Sequence, residues 1–135
     1  NAMANHVVDL LVKGMLQKKI HVKDSKILIM GLTFKENCPD FRNTKVIDIV
    51  KILLDYGVNV DLFDPWVDKT AVFEEYGITP IGEPEVGFYD SVIIAVAHDH
   101  FRDIGFKGIA SLVKENHVIF DLKHVLPKEN SDLRL

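Results

Sequence analysis

The stretch KILIMGLTFKENCPDFR, residues 26–42, decides the fold of this chain. It begins with the continuous apolar run of residues 27–30, and such a run without polar alternation is typical of a central strand covered on both faces. Gly31 ends this strand, and a mostly polar loop follows it. Asn43 or Thr44 then stands where a helix N-cap is expected, ahead of a strongly apolar helical pattern.

A strand, a loop and a helix N-terminus in this order form a natural anion site, because backbone N–H groups and the positive end of the helix dipole attract phosphate. Lys35 and Arg42 lie in this loop and offer full positive charges. The alternative is that they form ion pairs with Glu36 or Asp40, which need no functional reason. The residues alone leave both interpretations open. Phe34, next to Lys35, is more often a packing residue than a ring stacked on a base.

Length, composition and charge limit the classes of protein to which this chain can belong. With 135 residues and 47% hydrophobic content, the chain is long enough for one domain. A net charge of −4 argues against a general binder of nucleic acid or anionic membranes, and no apolar stretch approaches the roughly 20 residues of a membrane span. The single cysteine, Cys38, excludes a disulfide framework and a zinc site of several thiolates. We expect a cytoplasmic protein with neither nucleic-acid nor membrane partners.

Strands and helices alternate along the chain, which predicts an α/β fold: a Rossmann-like, doubly wound, mostly parallel sheet with helices on both faces. In such folds the ligand crevice lies beyond the carboxyl ends of the strands. The predicted elements are helices at residues 4–19, 44–56, 68–76 and 109–114, strands at 27–30, 58–63, 92–97 and 117–121, and a possible strand at 78–81. Residues 98–103 are predicted as a polar loop or a short helix, and the tail from residue 127 as frayed.

Polar residues after the strands are candidates for chemistry. Asp64 closes a strand where dinucleotide-binding folds often place an acid for ribose, but the three-glycine fingerprint is absent, so turn formation or helix capping is favoured. The trio His98, Asp99 and His100 is better explained as a solvated loop than as metal ligands. Cys38 is better explained as a structural or exposed thiol than as a nucleophile. We therefore predict no metal site.

The leading helix carries an unusually broad apolar face. It must pack on this domain, on a second copy of the chain or on a preceding domain. Residues 1–3, Asn-Ala-Met, look like the remnant of a cleaved expression tag, so we expect the sequence to begin partway along a longer natural chain.

Four motifs, in this order, resemble the C-terminal, UDP-binding domain of the nucleotide-sugar 6-dehydrogenases, the family of UDP-glucose and GDP-mannose dehydrogenases. They are GLTFKENCPDFRNTK at 31–45, VDLFDPWVD at 60–68, DSVIIAVAHDHFR at 90–102 and VIFDLKHVL at 118–126. The resemblance implies that residues 4–22 end a long connecting helix that builds a homodimer, and that residues 23–135 bind a UDP-sugar. It also implies an NAD-dependent oxidation of the sugar C6 hydroxyl to a carboxylate, with the catalytic cysteine and the main NAD site in an N-terminal domain.

The resemblance assigns roles to individual residues. It implies that Phe34 and Lys35 contact the substrate and that Arg42 reaches NAD, while no catalytic residue falls in this chain. Where UDP-glucose enzymes carry an arginine after the last strand, this chain has Lys123, which is similar to the subgroup that acts on UDP-N-acetylhexosamines in polysaccharide biosynthesis. The alternatives are a UDP-glucose 6-dehydrogenase, a non-catalytic nucleotide-binding module, and an interaction domain whose first helix only makes dimers.

Overall fold

The computed structural model describes all 135 residues. Five parallel strands form one sheet in the order β2-β1-β3-β4-β5. The elements are α1 (Ala2–Gln17), β1 (Lys26–Met30), α2 (Val46–Asp55), β2 (Asn59–Phe63), α3 (Lys69–Tyr76), β3 (Tyr89–Ile94), α4 (Asp99–Ala110), β4 (Val113–Asp121), a 3-10 turn (Lys128–Asn130) and β5 (Leu133–Arg134). The predicted class, a doubly wound parallel α/β sheet, is confirmed.

The central position of β1 follows from its apolar sequence. It pairs with β2 on one side and β3 on the other, so that Leu28 lies opposite both Asp61 and Val92. Alternate residues of β1 enter two cores, because successive side chains of a strand point to opposite faces. Ile27 packs beneath α1, α2 and α3, whereas Leu28 packs beneath α4. A continuous apolar run is what two covered faces require.

The broad apolar face of α1 packs on this domain. Val7, Val8, Leu11 and Met15 are fully buried and belong to the core formed with α2 and the sheet. Burying a side chain of this size stabilises a fold by about 1.5–3 kcal/mol. The first of the three packing alternatives is therefore the one found, although Leu16 of the same helix remains 62% exposed.

Two predicted segments differ in the structure. Residues 78–81 form no strand, because Pro80 lacks the N–H that a ladder needs. Their backbone bonds to the sheet once, where Ile81 N–H donates to Leu62 O at 2.8 Å. The predicted helix at 109–114 is also wrong. The chain is helical earlier, in α4, and β4 already begins at Val113.

The tail was expected to be frayed, and this is wrong as well. It forms the short fifth strand, and Asp132 anchors it at two points. One carboxylate oxygen accepts the Ile119 N–H at 2.7 Å, and the other pairs with Lys18 Nζ at 2.8 Å. These partners lie far away in sequence, so the local polarity of the tail does not reveal them.

The structure contains no helix with the length and apolar character needed to cross a bilayer.

Candidate functional site

A crevice opens where the chain order of the sheet reverses. From β1 the chain passes to β2 on one side and then returns to β3 on the other. The loops after β1 and β3 therefore diverge, and ligands of parallel α/β sheets bind at such points. A cavity of about 350 Å³ lies there, within the usual size range of ligand sites. It is lined by residues 33–36, 43–46, 95–97, Leu122 and Lys123, with the start of α1 and Leu135 closing one side.

The lining of the cavity is locally positive in an acidic protein. Three lysines, Lys35, Lys45 and Lys123, line it, whereas Glu36 is the one acidic residue. None of the three lysines forms an ion pair within the chain. Their charges therefore remain available to an anionic ligand.

The N-terminus of α2 also lines the cavity. The N-cap position is Lys45, which makes no side-chain cap bond, but the hydroxyl oxygen of Thr44 just before it accepts the Val46 N–H at 3.2 Å. The helix dipole adds partial positive charge at this end, which favours an anion such as phosphate. The strand, loop and helix start predicted from sequence thus meet at one cavity.

Phe34 is a ligand-accessible ring. The residues alone favoured a packing role, which the structure does not show, because 68% of its surface is exposed and it lines the cavity. The substrate contact that the resemblance implies stays a prediction. Its neighbour Thr33 is buried and donates its hydroxyl to Lys35 O at 2.9 Å. Phe34 N–H also donates to Asp40 O at 2.7 Å. The backbone of the loop is thus held while its aromatic side chain stays open.

Lys123 reaches the cavity because Asp121 shapes its loop. The Asp121 carboxylate is fully buried and accepts three backbone N–H groups, from Lys123 at 3.3 Å, Val125 at 3.1 Å and Leu126 at 2.8 Å. Sequence reasoning gave this aspartate no role. The signal was an acid placed as the last residue of an apolar strand, where a carboxylate organises the following turn.

Arg42 lies outside the cavity lining. Its guanidinium forms a two-point pair with Asp40, with Nε 3.0 Å from Oδ1 and Nη2 3.2 Å from Oδ2. The guanidinium lowers the pKa of the Asp40 carboxyl, and the carboxylate raises that of Arg42. The ion-pair alternative is therefore found for Arg42, and not for Lys35. The side chain of Arg42 is 80% exposed and remains accessible.

Asp64 forms a turn, as favoured from sequence. One of its carboxylate oxygens accepts the Trp66 N–H at 2.8 Å, and the other accepts the Leu32 N–H at 2.7 Å. His98 Nε2 lies 2.9 Å from the second oxygen. Burial raises the pKa of Asp64, but the hydrogen bonds from His98, Leu32 and Trp66 outweigh it, so the net shift is downward.

The histidine trio is divided by the structure. Asp99 and His100 are exposed, as expected, but they form the first turn of α4 rather than a loop. The expectation is wrong for His98, which is fully buried. It is buried because it packs under Trp66 and against Phe101 while both ring nitrogens find partners. No group of three or more His, Cys, Asp or Glu is arranged to hold a metal ion.

The comparison with protein families decides which family the chain belongs to. The sequence model of the UDP-glucose/GDP-mannose dehydrogenase family, UDP binding domain, matches residues 28–128. The chain belongs to this family. As its UDP-binding domain, the chain presents the β1/β3 cavity as the candidate UDP site.

Two relatives match all or nearly all of this chain. The chain is 53% identical over 135 residues to UDP-N-acetyl-D-glucosamine 6-dehydrogenase from Pseudomonas aeruginosa and 51% identical over 133 residues to the enzyme of the same name from Salmonella typhi. These alignments include 100% and 98% of this chain. The UDP-binding domain spans 32% and 31% of the lengths of those two relatives, so it corresponds to a part of each enzyme.

Solved structures show the same fold. UDP-D-ManNAc dehydrogenase from Pyrococcus horikoshii superposes with a TM-score of 0.76 at 21% identity, over 93% of this chain and 28% of that structure. UDP-glucose dehydrogenase from Pyrobaculum islandicum superposes with a TM-score of 0.74 at 20% identity, over 98% of this chain and 29% of that structure. At these identities, the likeness supports the fold of the UDP-binding domain.

Proposed function

We propose that this UDP-binding domain holds the nucleotide of a UDP-N-acetylhexosamine within an NAD-dependent 6-dehydrogenase. The observation that carries the proposal is the β1/β3 cavity, where three unpaired lysines, an exposed ring and a helix N-terminus converge. The 53% identity to a UDP-N-acetyl-D-glucosamine 6-dehydrogenase favours an N-acetylated sugar over glucose. In the whole enzyme, the sugar CH₂OH group, water and two NAD⁺ give a carboxylate, two NADH and three protons.

Lys35 and Lys123 approach the cavity from the loops after two different strands. Both can contact the phosphates of a nucleotide held in the cavity, and each acts as a compact point charge rather than as a planar fork. Phe34 offers an exposed ring at the same cavity, so it contacts the nucleotide sugar. Lys45, at the start of α2, adds a third charge that sequence reasoning did not name.

The residues of this domain do not fit a complete dinucleotide site. The loop after β1 has only Gly31 where the fingerprint needs three glycines. Asp64, which closes β2 where an acid holds ribose in such sites, is 6% exposed and its oxygens are occupied by protein donors. The main NAD site therefore belongs to another domain of the enzyme, and the catalytic cysteine belongs there too.

Arg42 is proposed to contact NAD from this domain. Its guanidinium lies outside the UDP cavity and is held in a defined direction by Asp40 while its surface stays exposed. An exposed, always charged and oriented guanidinium suits a phosphate presented by a neighbouring domain.

We also propose that the full-length enzyme is a cytoplasmic homodimer of polysaccharide biosynthesis, built through a connecting helix that ends within residues 4–22. The exposed Leu16 on α1 is the apolar residue that such an interface would cover. Light scattering of the purified full-length enzyme should give twice the subunit mass. A monomer at micromolar concentration would overturn the dimer.

The experiment that tests the function is NADH formation by the full-length enzyme with UDP-N-acetylglucosamine, UDP-N-acetylgalactosamine and UDP-glucose side by side. We expect turnover of an N-acetylated substrate with two NADH per sugar. Preference for UDP-glucose would contradict the substrate class, and absence of turnover with all three would contradict the enzyme. The 135-residue chain alone should bind UDP and form no NADH.

A further inference from the structure

A buried histidine connects the loop after β1, residues 31–42, to the ends of β2 and β3. His98, directly ahead of α4, is fully buried, and its Nδ1 lies 2.9 Å from the backbone nitrogen of Asn37. Its Nε2 lies 2.9 Å from Asp64 Oδ2 and 3.2 Å from Thr33 Oγ1. The ring therefore bridges the ends of β1, β2 and β3 immediately beside the segment that carries Phe34 and Lys35.

The partners determine where the ring proton sits. A backbone N–H can only donate, so Nδ1 of His98 must accept from Asn37 and carries no proton. The Thr33 hydroxyl already donates to Lys35 O at 2.9 Å, so it offers only lone pairs to the ring. The proton is therefore on Nε2, pointing at the Asp64 carboxylate, and the ring is neutral.

The side chain of Asn37 makes a second hydrogen bond, to the backbone of α4. Its Oδ1 accepts the Asp99 N–H at 2.9 Å, in the first turn of α4. His98 occupies the N-cap position of that helix without a side-chain cap bond, so Asn37 of the loop after β1 supplies the cap. Asn37 adopts a left-handed conformation, with φ of 55°. The loop is thus tied to the α4 entrance by two hydrogen bonds at a single residue.

We propose that His98 is a positioning residue for nucleotide binding. As the Nε2–H tautomer oriented by Asp64, it holds Asn37 and so fixes residues 33–37 in the conformation that presents Phe34 and Lys35 to the cavity. It does not line the cavity and acts through the loop. The choice of UDP as the ligand rests on the proposed function, whereas the state of the ring and the loop does not.

Two substitutions of His98 test the roles of its two ring nitrogens one at a time. His98→Asn keeps a carbonyl oxygen near the position of Nδ1, so Asn37 retains an acceptor while Asp64 loses its donor. His98→Gln keeps an amide near the position of Nε2, so Asp64 retains a donor while Asn37 loses its acceptor. A role limited to stability predicts no such ordering of UDP affinities.

Titration calorimetry with UDP on the 135-residue chain should show about a tenfold loss of affinity for His98→Gln and less than about threefold for His98→Asn. In the UDP-free state, the amide signals of Lys35 and Asn37 should move in His98→Gln and stay near their original positions in His98→Asn. Equal losses, or the reverse order, would overturn the proposal.

Measurements on the unaltered chain keep the proposal testable if neither variant folds. The ¹⁵N NMR signals of the His98 ring should show an unprotonated Nδ1 and a protonated Nε2. The backbone amide proton of Asn37 should exchange slowly with solvent. A proton on Nδ1, a charged ring at pH 7 or fast exchange at Asn37 would overturn it. No UDP binding by the unaltered chain would overturn the proposed function, whereas equal UDP binding by His98→Gln would overturn only the role of His98.

Discussion

Gly31 and Val96 cross so closely that a Cβ atom on Gly31 would lie 2.6 Å from Cβ and 2.8 Å from the backbone nitrogen of Val96. Gly31 also has a φ of +104°, which L side chains rarely adopt. The contact lies just beyond the paired ends of β1 and β3, beside the β1/β3 cavity, where Val96 forms part of the lining. A side chain at position 31 would therefore force the backbone beside the cavity to shift.

Gly31→Ala should lower the free energy of unfolding by about 3 kcal/mol or more, because it combines an unfavourable φ with overpacking against backbone. Gly77→Ala is the matched control. Gly77 also has a positive φ, but a Cβ there would meet nothing within 4 Å, so its cost should be limited to about 1 kcal/mol. Urea unfolding of both variants measures the difference. Similar costs would show that the contact with Val96 contributes nothing.

Lys35→Ala and Lys123→Ala should each weaken UDP binding by about tenfold, since each removes a charge-assisted contact to phosphate. The affinity should also depend less steeply on salt in each variant. Lys51→Ala removes an exposed lysine of α2 that lies outside the cavity lining, and it should change neither property. Titration calorimetry at two salt concentrations tests the assignment. A loss of equal size in Lys51→Ala would show that only overall charge matters.

Phe34→Ala should reduce UDP affinity while leaving the unfolding midpoint unchanged, because the ring is 68% exposed and belongs to neither core. Phe73, which is 53% exposed on α3, provides the control, and Phe73→Ala should leave binding unchanged. Binding and thermal unfolding are measured on the same samples. A marked loss of stability in Phe34→Ala would restore the packing role that we expected from sequence.

In the full-length enzyme, Arg42→Ala should raise KM for NAD and leave KM for the sugar nucleotide near its original value. Lys35→Ala should raise KM for the sugar nucleotide and leave KM for NAD near its original value. The Asp40 pair is exposed, so its loss should leave the thermal midpoint of Arg42→Ala unchanged. Initial rates with each substrate varied in turn provide the measurement. Exchange of the two effects would contradict both role assignments.

Asp64→Asn should destabilise the domain in a pH-dependent way. The folded-state pKa of Asp64 lies below its ordinary value of 3.8, so its contribution is present above that value and lost as the pH falls through the folded pKa. At pH 7 the variant should be less stable by about 1–3 kcal/mol, because a buried acceptor of several hydrogen bonds is altered. At lower pH the difference should shrink.

Urea unfolding at pH 7 and near pH 3 tests this prediction for Asp64. Asp55→Asn, at an exposed position of α2, should remain within about 0.5 kcal/mol of the unaltered chain at both pH values. A difference for Asp64→Asn that grows as the pH falls would contradict the sign of the pKa shift.

The apolar runs of β1 and β3 determined the parallel sheet, because a strand covered on both faces has no polar alternation. Gly31 and the polar loop after it determined where the crevice opens. From these features the edge of the sheet that carries Lys35 and Lys123 could be predicted, and the structure places both lysines at one cavity. Their roles remain predictions.

Only the tertiary structure decided which distant groups meet. His98 is buried because Asp64 and Asn37, 34 and 61 residues away in the chain, satisfy its two nitrogens. The tail forms β5 because Asp132 finds Lys18, a partner 114 residues distant. Sequence periodicity reports which face of an element is apolar within a few residues. It does not report which side chain the topology brings opposite a buried polar atom, and that pairing decides burial, tautomer and loop conformation.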